Sequence, residues 1–592
     1  MKFNKAILVV SLFIGVVTAC TDKWDEHYSV AQHGEGSLWQ TISNDASLSN
    51  FKKVLEAANY DAQLSSSQVF TVFAPNNTEL TDDMCAKLIQ QYNAEMQQGI
   101  KDKDNSVVKE FIQNHISLYN YSVSNVMPDT TIRMMNGKNI SFSKEQFAGH
   151  NYISKNTAAA NGIIYTIGNI ADYHPNVYEA LSKVEGLENA WAYISKFDVE
   201  KLNSKMSVPG EIIDGKTHYL DSVTYIENTV LDNQVNAKAI DEDSCYWMVV
   251  PNNQLWDELV AKYSNYYVYD SKVHERDSFQ YHFPRYAILN GTAFSKTANQ
   301  KIFQNGTAAS TDSIMSTLAI SYQLREYLYG SFDKKYYLYY DPFGKDGVLS
   351  DTEETICSNG KLLKASKWNF PNKYTFLREI VMEAESSNTQ DTLNINSQSN
   401  KTGDTSLPKV VKVTSDNPFY NKVSGNAYLE ITPSGATNFT KALFDVRDVL
   451  SNVPYDVYVV VAPAEAGNVE ASDIQKLPVL FRCAVQCHND KGEAYYVNLA
   501  DSKLQYPVLN TKGDVTTNYS NSKVYGQNRQ NDPTKVDSVF IGTLTFPTCS
   551  SGTSEPQVKL LFETKVSSTT QMDKTHNRTL RLDCIVFRPH EE

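Results

Sequence analysis

The chain has 592 residues, too many for one hydrophobic core, so three or four domains are expected. Its composition, 41% hydrophobic and 21% charged, is that of a globular protein, and its formal charge is −14. That acidity argues against nucleic acid as a partner and against electrostatic adherence to an anionic membrane.

Lys2 and Lys5 open the chain, and residues 6–17 are apolar but too few to span a bilayer comfortably. Val17-Thr18-Ala19-Cys20 follows. Small residues ahead of a cysteine resemble a bacterial lipobox. The resemblance implies a signal peptide over 1–19, a lipid on Cys20 and a tether over 20–36. An ordinary secretory leader with an incidental cysteine is the alternative. Removing the two lysines takes the formal charge from −14 to −16, so any tie to a membrane has to be covalent. The acidic stretch 21–26 resembles the surface-export signal of Bacteroidetes-type lipoproteins, which implies the outer face of the outer membrane. No later segment is long and apolar enough to cross a membrane.

Residues 70–80, FTVFAPNNTEL, are echoed 176 positions on by residues 246–256, YWMVVPNNQLW. A domain-sized spacing points to tandem duplication. In each copy the apolar run suits a buried strand, the proline stops it, and Asn76 or Asn77, then Asn252 or Asn253, can cap a helix. These stretches resemble the first signature of the fasciclin domain, an α+β adhesion and binding module. Two further landmarks of that family follow in order, twice. Asn114-His115 and Tyr281-His282 match its central pair. Asn161-Gly162 and Asn359-Gly360 match its closing turn, and Asn-Gly is a strong hairpin signal by itself. The resemblance covers roughly 37–372 and implies fasciclin-like domains over 37–174 and 175–374. The second copy departs from the pattern through an insertion between Tyr281 and Asn359. That insertion holds a dense tyrosine cluster: Tyr322, Tyr327, Tyr329, Tyr336, Tyr337, Tyr339 and Tyr340. A flat apolar ring with a polar tip suits ligand contact, so Tyr336, Tyr337, Tyr339 and Tyr340 are candidate binding residues; core filling is the alternative.

From about residue 375 the chain becomes a series of β runs separated by turn residues, the pattern of a β-sandwich over 375–592. It opens with Val381-Met382-Glu383-Ala384-Glu385 and closes with residues 580–587, which include Asp583. Both ends resemble the galactose-binding-like jelly rolls of carbohydrate-binding modules. The resemblance implies that the chain ends meet, and that Glu383, Glu385 and Asp583 could hold a structural calcium, since that ion takes hard oxygen ligands. A metal-free sandwich that pairs its termini is the alternative. The loop residues Phe419, Tyr420, His576, Asn577 and Arg578 are candidates for a sugar site built from aromatic platforms and planar polar groups. Solvated loop is the competing reading for each.

The sequence carries no zincin, phosphate-loop or nucleophile-elbow motif. His274-Glu275 lacks the second histidine, and Cys483, Cys487 and His488 lack a second ligand pair, so a core strand is expected there instead of zinc. Discounting Cys20 leaves seven of the eight cysteines, an odd, scattered set that is not a disulfide framework, although Cys245 and Cys357 could pair. The expected fold class is therefore two fasciclin-like α+β domains followed by a jelly-roll sandwich. The expected role is binding without catalysis. The whole resembles the surface lipoproteins that accompany SusC/SusD-type nutrient importers, which implies a transporter partner and a glycan, glycan-bearing or peptide ligand. A fasciclin-type adhesin and a structural subunit contacting only the transporter are the alternatives.

Overall fold

The computed structural model describes residues 34–125, 130–202, 204, 208–213, 216–221, 224–323, 333–387, 390–393, 406–433, 439–497, 499, 504–505, 526–553, 558–564 and 572–590. Cys20, the leader and the tether up to residue 33 lie outside them, as do Tyr327 and Tyr329. The chain forms two compact units. One runs to Asn176 and includes Asp241–Ser244 and Ile356–Gly360; the other comprises Val177–Ile240, Cys245–Thr355 and Lys361–Glu592.

In the first unit a seven-stranded sheet has the order β2-β1-β7-β6-β5-β4-β3. The strands are β1 (Phe70–Pro75), β2 (Ile116–Ser117), β3 (Thr130–Arg133), β4 (Asn139–Phe142), β5 (Gln146–Phe147), β6 (His150–Ala159) and β7 (Gly162–Ile167). β1 runs parallel to β7, and both are buried along their whole length. On one side Phe51, Val54, Leu55, Leu80 and Ile112 close a helical core over it. On the other, Phe73 stacks on Phe147 and Tyr165. Pro75 ends β1 as expected. The helix does not begin at Asn76 or Asn77, however. Asn76 accepts from the Thr78 and Glu79 amides in a turn, and Asn77 ties back to Ala46, Ser49 and Asn50. The helix Asp82–Gln97 starts later, capped by Thr81. In the second copy Asn252 does cap helix Asn253–Ser264, accepting from the Leu255 amide at 2.9 Å.

The family landmarks of the first copy are scaffold. Asn161 receives the Leu38 amide and donates to the Leu64 and Ser66 carbonyls. A Cβ on Gly162 would lie 1.9 Å from the Phe70 carbonyl oxygen, so only glycine fits that turn. His115 is fully buried. Its Nε2 accepts from the Ala171 amide at 3.0 Å, which places the proton on Nδ1, 2.7 Å from the Phe111 carbonyl oxygen.

Burial therefore holds His115 neutral and lowers its pKa from 6.5 to about 4. Between those values the unfolded chain binds a proton that the folded chain refuses. The stabilisation is complete above pH 6.5 and is lost as pH falls towards 4; a gap of this size corresponds to about 3 kcal/mol. Urea unfolding of the full chain and of His115→Phe should show a stability difference that changes by about that amount between pH 7.5 and 4. A difference constant across this range would contradict it.

The second unit contains a fasciclin-like domain and a sandwich. The former opens with helices Val177–Lys183 and Glu188–Ile194. Two hairpins follow, β8 (Asp198–Leu202) with β11 (Thr224–Asn228), and β9 (Val208–Ile213) with β10 (Lys216–Asp221). Its main sheet has the order β15-β14-β13-β12-β17-β16. These strands are β12 (Tyr246–Pro251), β13 (Ala293–Ser295), β14 (Ser313–Gln323), β15 (Asp333–Tyr340), β16 (Thr352–Cys357) and β17 (Gly360–Ala365). Tyr281 and His282 sit within helix Arg276–Leu289, where His282 Nδ1 meets the Tyr193 hydroxyl at 2.7 Å.

The sandwich begins with β18 (Ile380–Glu383), β19 (Gln390–Leu393), β20 (Ser406–Lys412), β21 (Ala427–Pro433), β22 (Lys441–Val446) and β23 (Pro454–Val461). It continues with β24 (Leu480–His488), β25 (Ala494–Val497), β26 (Leu504–Gln505), β27 (Arg529–Gln530), β28 (Asp537–Thr545), β29 (Val558–Glu563) and β30 (Leu580–Pro589). One sheet runs β20-β21-β30-β23-β28, with β18 also on β30; the other runs β19-β22-β29-β24-β25-β26, with β27 on β24. Cys483 and Cys487 are buried on β24, and the cysteines from Cys85 onward are thiols, so Cys245 and Cys357 form no disulfide.

Residues 266–272 bind the fasciclin-like domain to the sandwich through both backbone and side chains. The Cys549 amide donates to Val268, Ser451 Oγ accepts from the Val268 amide, and the Tyr269 hydroxyl donates to Ser551. Lys272 donates to the Gly492 carbonyl, and Asp270 meets His488 Nδ1 at 3.1 Å. This seam fixes the two parts of the second unit against each other.

Candidate functional site

Three of the four candidate tyrosines are core: Tyr336, Tyr337 and Tyr339 are each 3% exposed, and of these four only Tyr340 is open to solvent. The β14/β15 ladder shifts register between the pairs at Met315 and Ile320, and Tyr337 sits at φ +58°. That irregularity breaks strand alternation, so residues 336–339 are all buried. Tyr339 packs edge-on to Phe294 and Phe370, with its hydroxyl on the Gly291 carbonyl. Gly291 is required there: a Cβ would lie 2.6 Å from Tyr337.

The sandwich loop candidates are divided between scaffold and surface. Asn577 is 6% exposed and holds the Ile474 carbonyl and the Thr579 amide. The Arg578 side chain is 11% exposed and pairs with Asp573 at 3.0 Å. His576 meets Thr575 Oγ1 at 2.9 Å and Gln530 Oε1 at 3.0 Å. Phe419 packs on the core around Val413 and Val423, whereas Tyr420 is 39% exposed. Asn577 and Arg578 thus serve loop architecture, and among the described residues no aromatic ring stacks with them.

The acidic candidates do converge. β18 and β21 both flank β30, one at each half, and the turn before β21 meets the end of β18. Glu383 pairs in register with Cys584, and possible ligand atoms of Glu383, Asp583 and Cys584 lie within 4.8 Å of one another. The Ser424 amide donates to both Asp583 oxygens at 2.9 and 3.1 Å, and Ser424 Oγ donates to Glu383. A Cβ on Gly425 would lie 3.9 Å from Glu385 Oε1, so that carboxylate borders the same turn. Buried carboxylates this close repel unless a hydrogen bond, a shared proton or a cation intervenes. The donor set suits a hard cation through oxygen; the Cys584 thiol does not.

A second arrangement lies outside every sequence candidate. Where the fasciclin-like domain passes into the sandwich, two adjoining cavities open. The first, about 300 Å³, is lined by Leu259, Lys262, Tyr263, Trp368, Phe370 and Asn372 among others. The second, about 450 Å³, is lined by Glu379, Asp456, Arg588, Pro589 and His590. Both include Lys373 and Leu377, which makes them one trench. Trp368 is half-buried, with its ring 4.7 Å from that of Phe370. The Tyr263 hydroxyl donates to Asn372 Oδ1 at 2.9 Å. Burial raises the Tyr263 pKa, and a hydrogen bond with Trp368 works the other way. At the far end Asp456 accepts from Thr543 at 2.6 Å and meets His590 Nε2 at 2.9 Å. Desolvation would raise the Asp456 pKa, but those hydrogen bonds and the nearby Arg588 bring it below the usual carboxylate range. The aromatic and polar run Trp-Asn-Phe-Pro-Asn-Lys-Tyr over 368–374 is the one local signal that could have pointed to it; nothing in sequence connects that run to residues 456 and 588–590.

The second unit thus joins an α+β domain of duplicated design to an antiparallel sandwich, and the first unit carries the other copy. Residues 46–171 match the Fasciclin domain family. Among solved structures, a FAS1 domain pair from the insect cell adhesion molecule Fasciclin I is 13% identical, over 54% of this chain and 95% of its own, with a TM-score of 0.17. A xylan-binding domain from Paenibacillus barcinonensis is 9% identical, over 35% of this chain and 98% of its own, with a TM-score of 0.19. A family 22 carbohydrate-binding module of Clostridium thermocellum is 10% identical, over 34% and 96%, with a TM-score of 0.15. At such scores these likenesses carry no functional weight. No curated protein matches the chain.

Proposed function

We propose that the protein is a non-catalytic binding protein whose second unit holds a glycan in the trench between its fasciclin-like domain and its sandwich. The observation that carries this reading is the trench itself. Its volume is in the range of roughly 300–1,000 Å³ usual for ligand sites, and it combines an aromatic wall with a few converging polar groups. The half-buried Trp368 supplies the flat face on which a sugar ring stacks. In this reading the protein is anchored through Cys20 on the outer face of the outer membrane and serves as an accessory to a SusC/SusD-type importer. A glycan array with the full-length protein, and co-purification with the importer, test the two parts. Trp368→Ala should weaken glycan binding at least tenfold, about 1.4 kcal/mol, in protein that remains folded by circular dichroism. An array without a single glycan signal would sink the reading.

The fasciclin match over 46–171 favours a second reading, an adhesin that captures host or neighbouring-cell proteins. Protein capture with no glycan signal would select it. Capture of the transporter alone would select a structural subunit.

The acidic turn at the β18–β30 junction fits a structural calcium held by Glu383, Glu385 and Asp583. Bound there, the ion would offset carboxylate repulsion where the sandwich termini meet. Adding EDTA should then lower the melting temperature of the second unit, and calcium should restore it. At a hundredfold excess over the dissociation constant, linkage amounts to about 2.7 kcal/mol. Identical melting curves with and without chelator would reject the ion.

A further inference from the structure

We propose that the ligand is an uncharged oligosaccharide chain that runs on beyond the trench, and that Tyr458 and Phe540 form its second stacking platform on the outer face of the sandwich. This rests on the glycan reading above and adds the class and length of the ligand.

Side chains cross the outer face of the sheet that holds β30 in rows. In one row Arg588, Asp456 and Thr543 stand side by side on β30, β23 and β28. Two residues along β23, about 7 Å at the usual strand rise, Val586, Tyr458 and Phe540 form the next row, and Val381 of β18 extends it past Val586. Asp456 and Arg588 line the second cavity, so the apolar row adjoins the trench wall. Phe540 is 42% exposed and Tyr458 half-buried, with ring centroids 5.4 Å apart. Strand alternation alone would not put Phe540 there. Thr543 and Phe540 are three residues apart, a spacing that points them to opposite faces of a regular strand. The ladder shifts register between Val457 and Tyr458 and leaves Ile541 as an extra residue. This bulge re-aims the strand, so Thr543 reaches Asp456 while Phe540 meets Tyr458 on the same face.

Aromatic rings with an open face are the usual apolar lining of ligand sites, and the second unit has them at two places. Trp368 lines the first cavity, and the Tyr458–Phe540 pair adjoins the wall of the second. A chain that stacks on both crosses both cavities, which a single sugar unit cannot do. Between the platforms the charges answer one another. Asp456 accepts from Thr543 at 2.6 Å, meets His590 Nε2 at 2.9 Å and stands in register with Arg588. A charged ligand would have to break that arrangement. A neutral chain leaves it intact, taking polar contacts in the middle and a ring at each end.

The test is calorimetry with the detergent-solubilised full-length chain. The probes are maltose, cellobiose and mannobiose, each beside its hexasaccharide. At least one hexasaccharide should bind at least tenfold more tightly than its disaccharide. Phe540→Ala should remove that advantage and leave the disaccharide's affinity unchanged, whereas Phe540→Tyr, which keeps the ring, should preserve it. Phe540→Leu, which loses the flat face but keeps apolar bulk, is the second variant should alanine unfold the sandwich. Trp368→Ala should weaken both lengths. If a disaccharide binds as tightly as its hexasaccharide, or if Phe540→Ala leaves the hexasaccharide's affinity unchanged, the second platform is overturned and the glycan reading stands. If none of the six probes binds, the neutral-chain proposal falls. A blank array then sinks the glycan reading as well, while any other glycan signal leaves it standing.

Discussion

Lys138→Met should cost the first unit about 3–5 kcal/mol, the usual penalty for removing one partner of a buried ion pair. The Lys138 and Glu242 side chains are only 4% and 10% exposed, with Nζ and Oε1 2.6 Å apart. Lys138 also reaches Ser358 Oγ at 3.3 Å and lies over the Tyr173 ring. Asn176 donates to the same Glu242 oxygen, and Asn139 holds the Glu242 backbone carbonyl. The methionine keeps most of the stem volume, so the loss isolates charge from packing. It leaves Glu242 buried without its cation, while the double variant Lys138→Met/Glu242→Gln removes that burden and should recover much of the stability. Hydrogen exchange on β1 and β7 reads the opening of this unit directly. A single variant as stable as the parent, or a double variant worse than both singles, would refute the account.

Glu563→Gln should destabilise the sandwich by a similar amount, roughly 3 kcal/mol or more. Lys441, Glu563 and Arg482 face one another across three neighbouring strands, in register on β22, β29 and β24. Glu563 is 1% exposed and Lys441 3%. Arg482 approaches Glu563 Oε2 with two nitrogens, at 3.0 and 2.7 Å, and the Lys441 ammonium lies 3.6 Å from Oε1. Glutamine preserves shape and removes the charge between two cations. The readout is the sandwich transition in guanidinium unfolding. A shift below about 1 kcal/mol would mean that the surrounding groups carry those cations unaided.

The fold classes were legible because they rest on local patterns. Residues 70–75 and 246–251 are apolar runs ended by proline, and both are buried strands. Asn161-Gly162 sits at a hairpin turn because the required glycine is written beside the asparagine that braces it. The pairing of β18 with β30 followed from the resemblance of the sandwich ends, and it brings Glu383 to Asp583. The helix cap at Asn76 or Asn77 was misread because an asparagine after a strand serves a turn as readily as a cap, and only contacts with residues 46–50 select between them.

Composition could not reveal which tyrosines face solvent. Strand alternation predicts that Tyr337 and Tyr339 share one face and Tyr336 and Tyr340 the other. A single left-handed residue in a shifted ladder buries all but Tyr340. The sequence by itself determined the duplicated α+β design and the appended run of strands, since both follow from neighbours along the chain; the meeting of the acidic ends came from the resemblance alone. Only the tertiary structure decided where a cavity opens. The trench draws on residues 259–263, 368–379, 456 and 588–590, and no local propensity encodes the docking that makes them neighbours.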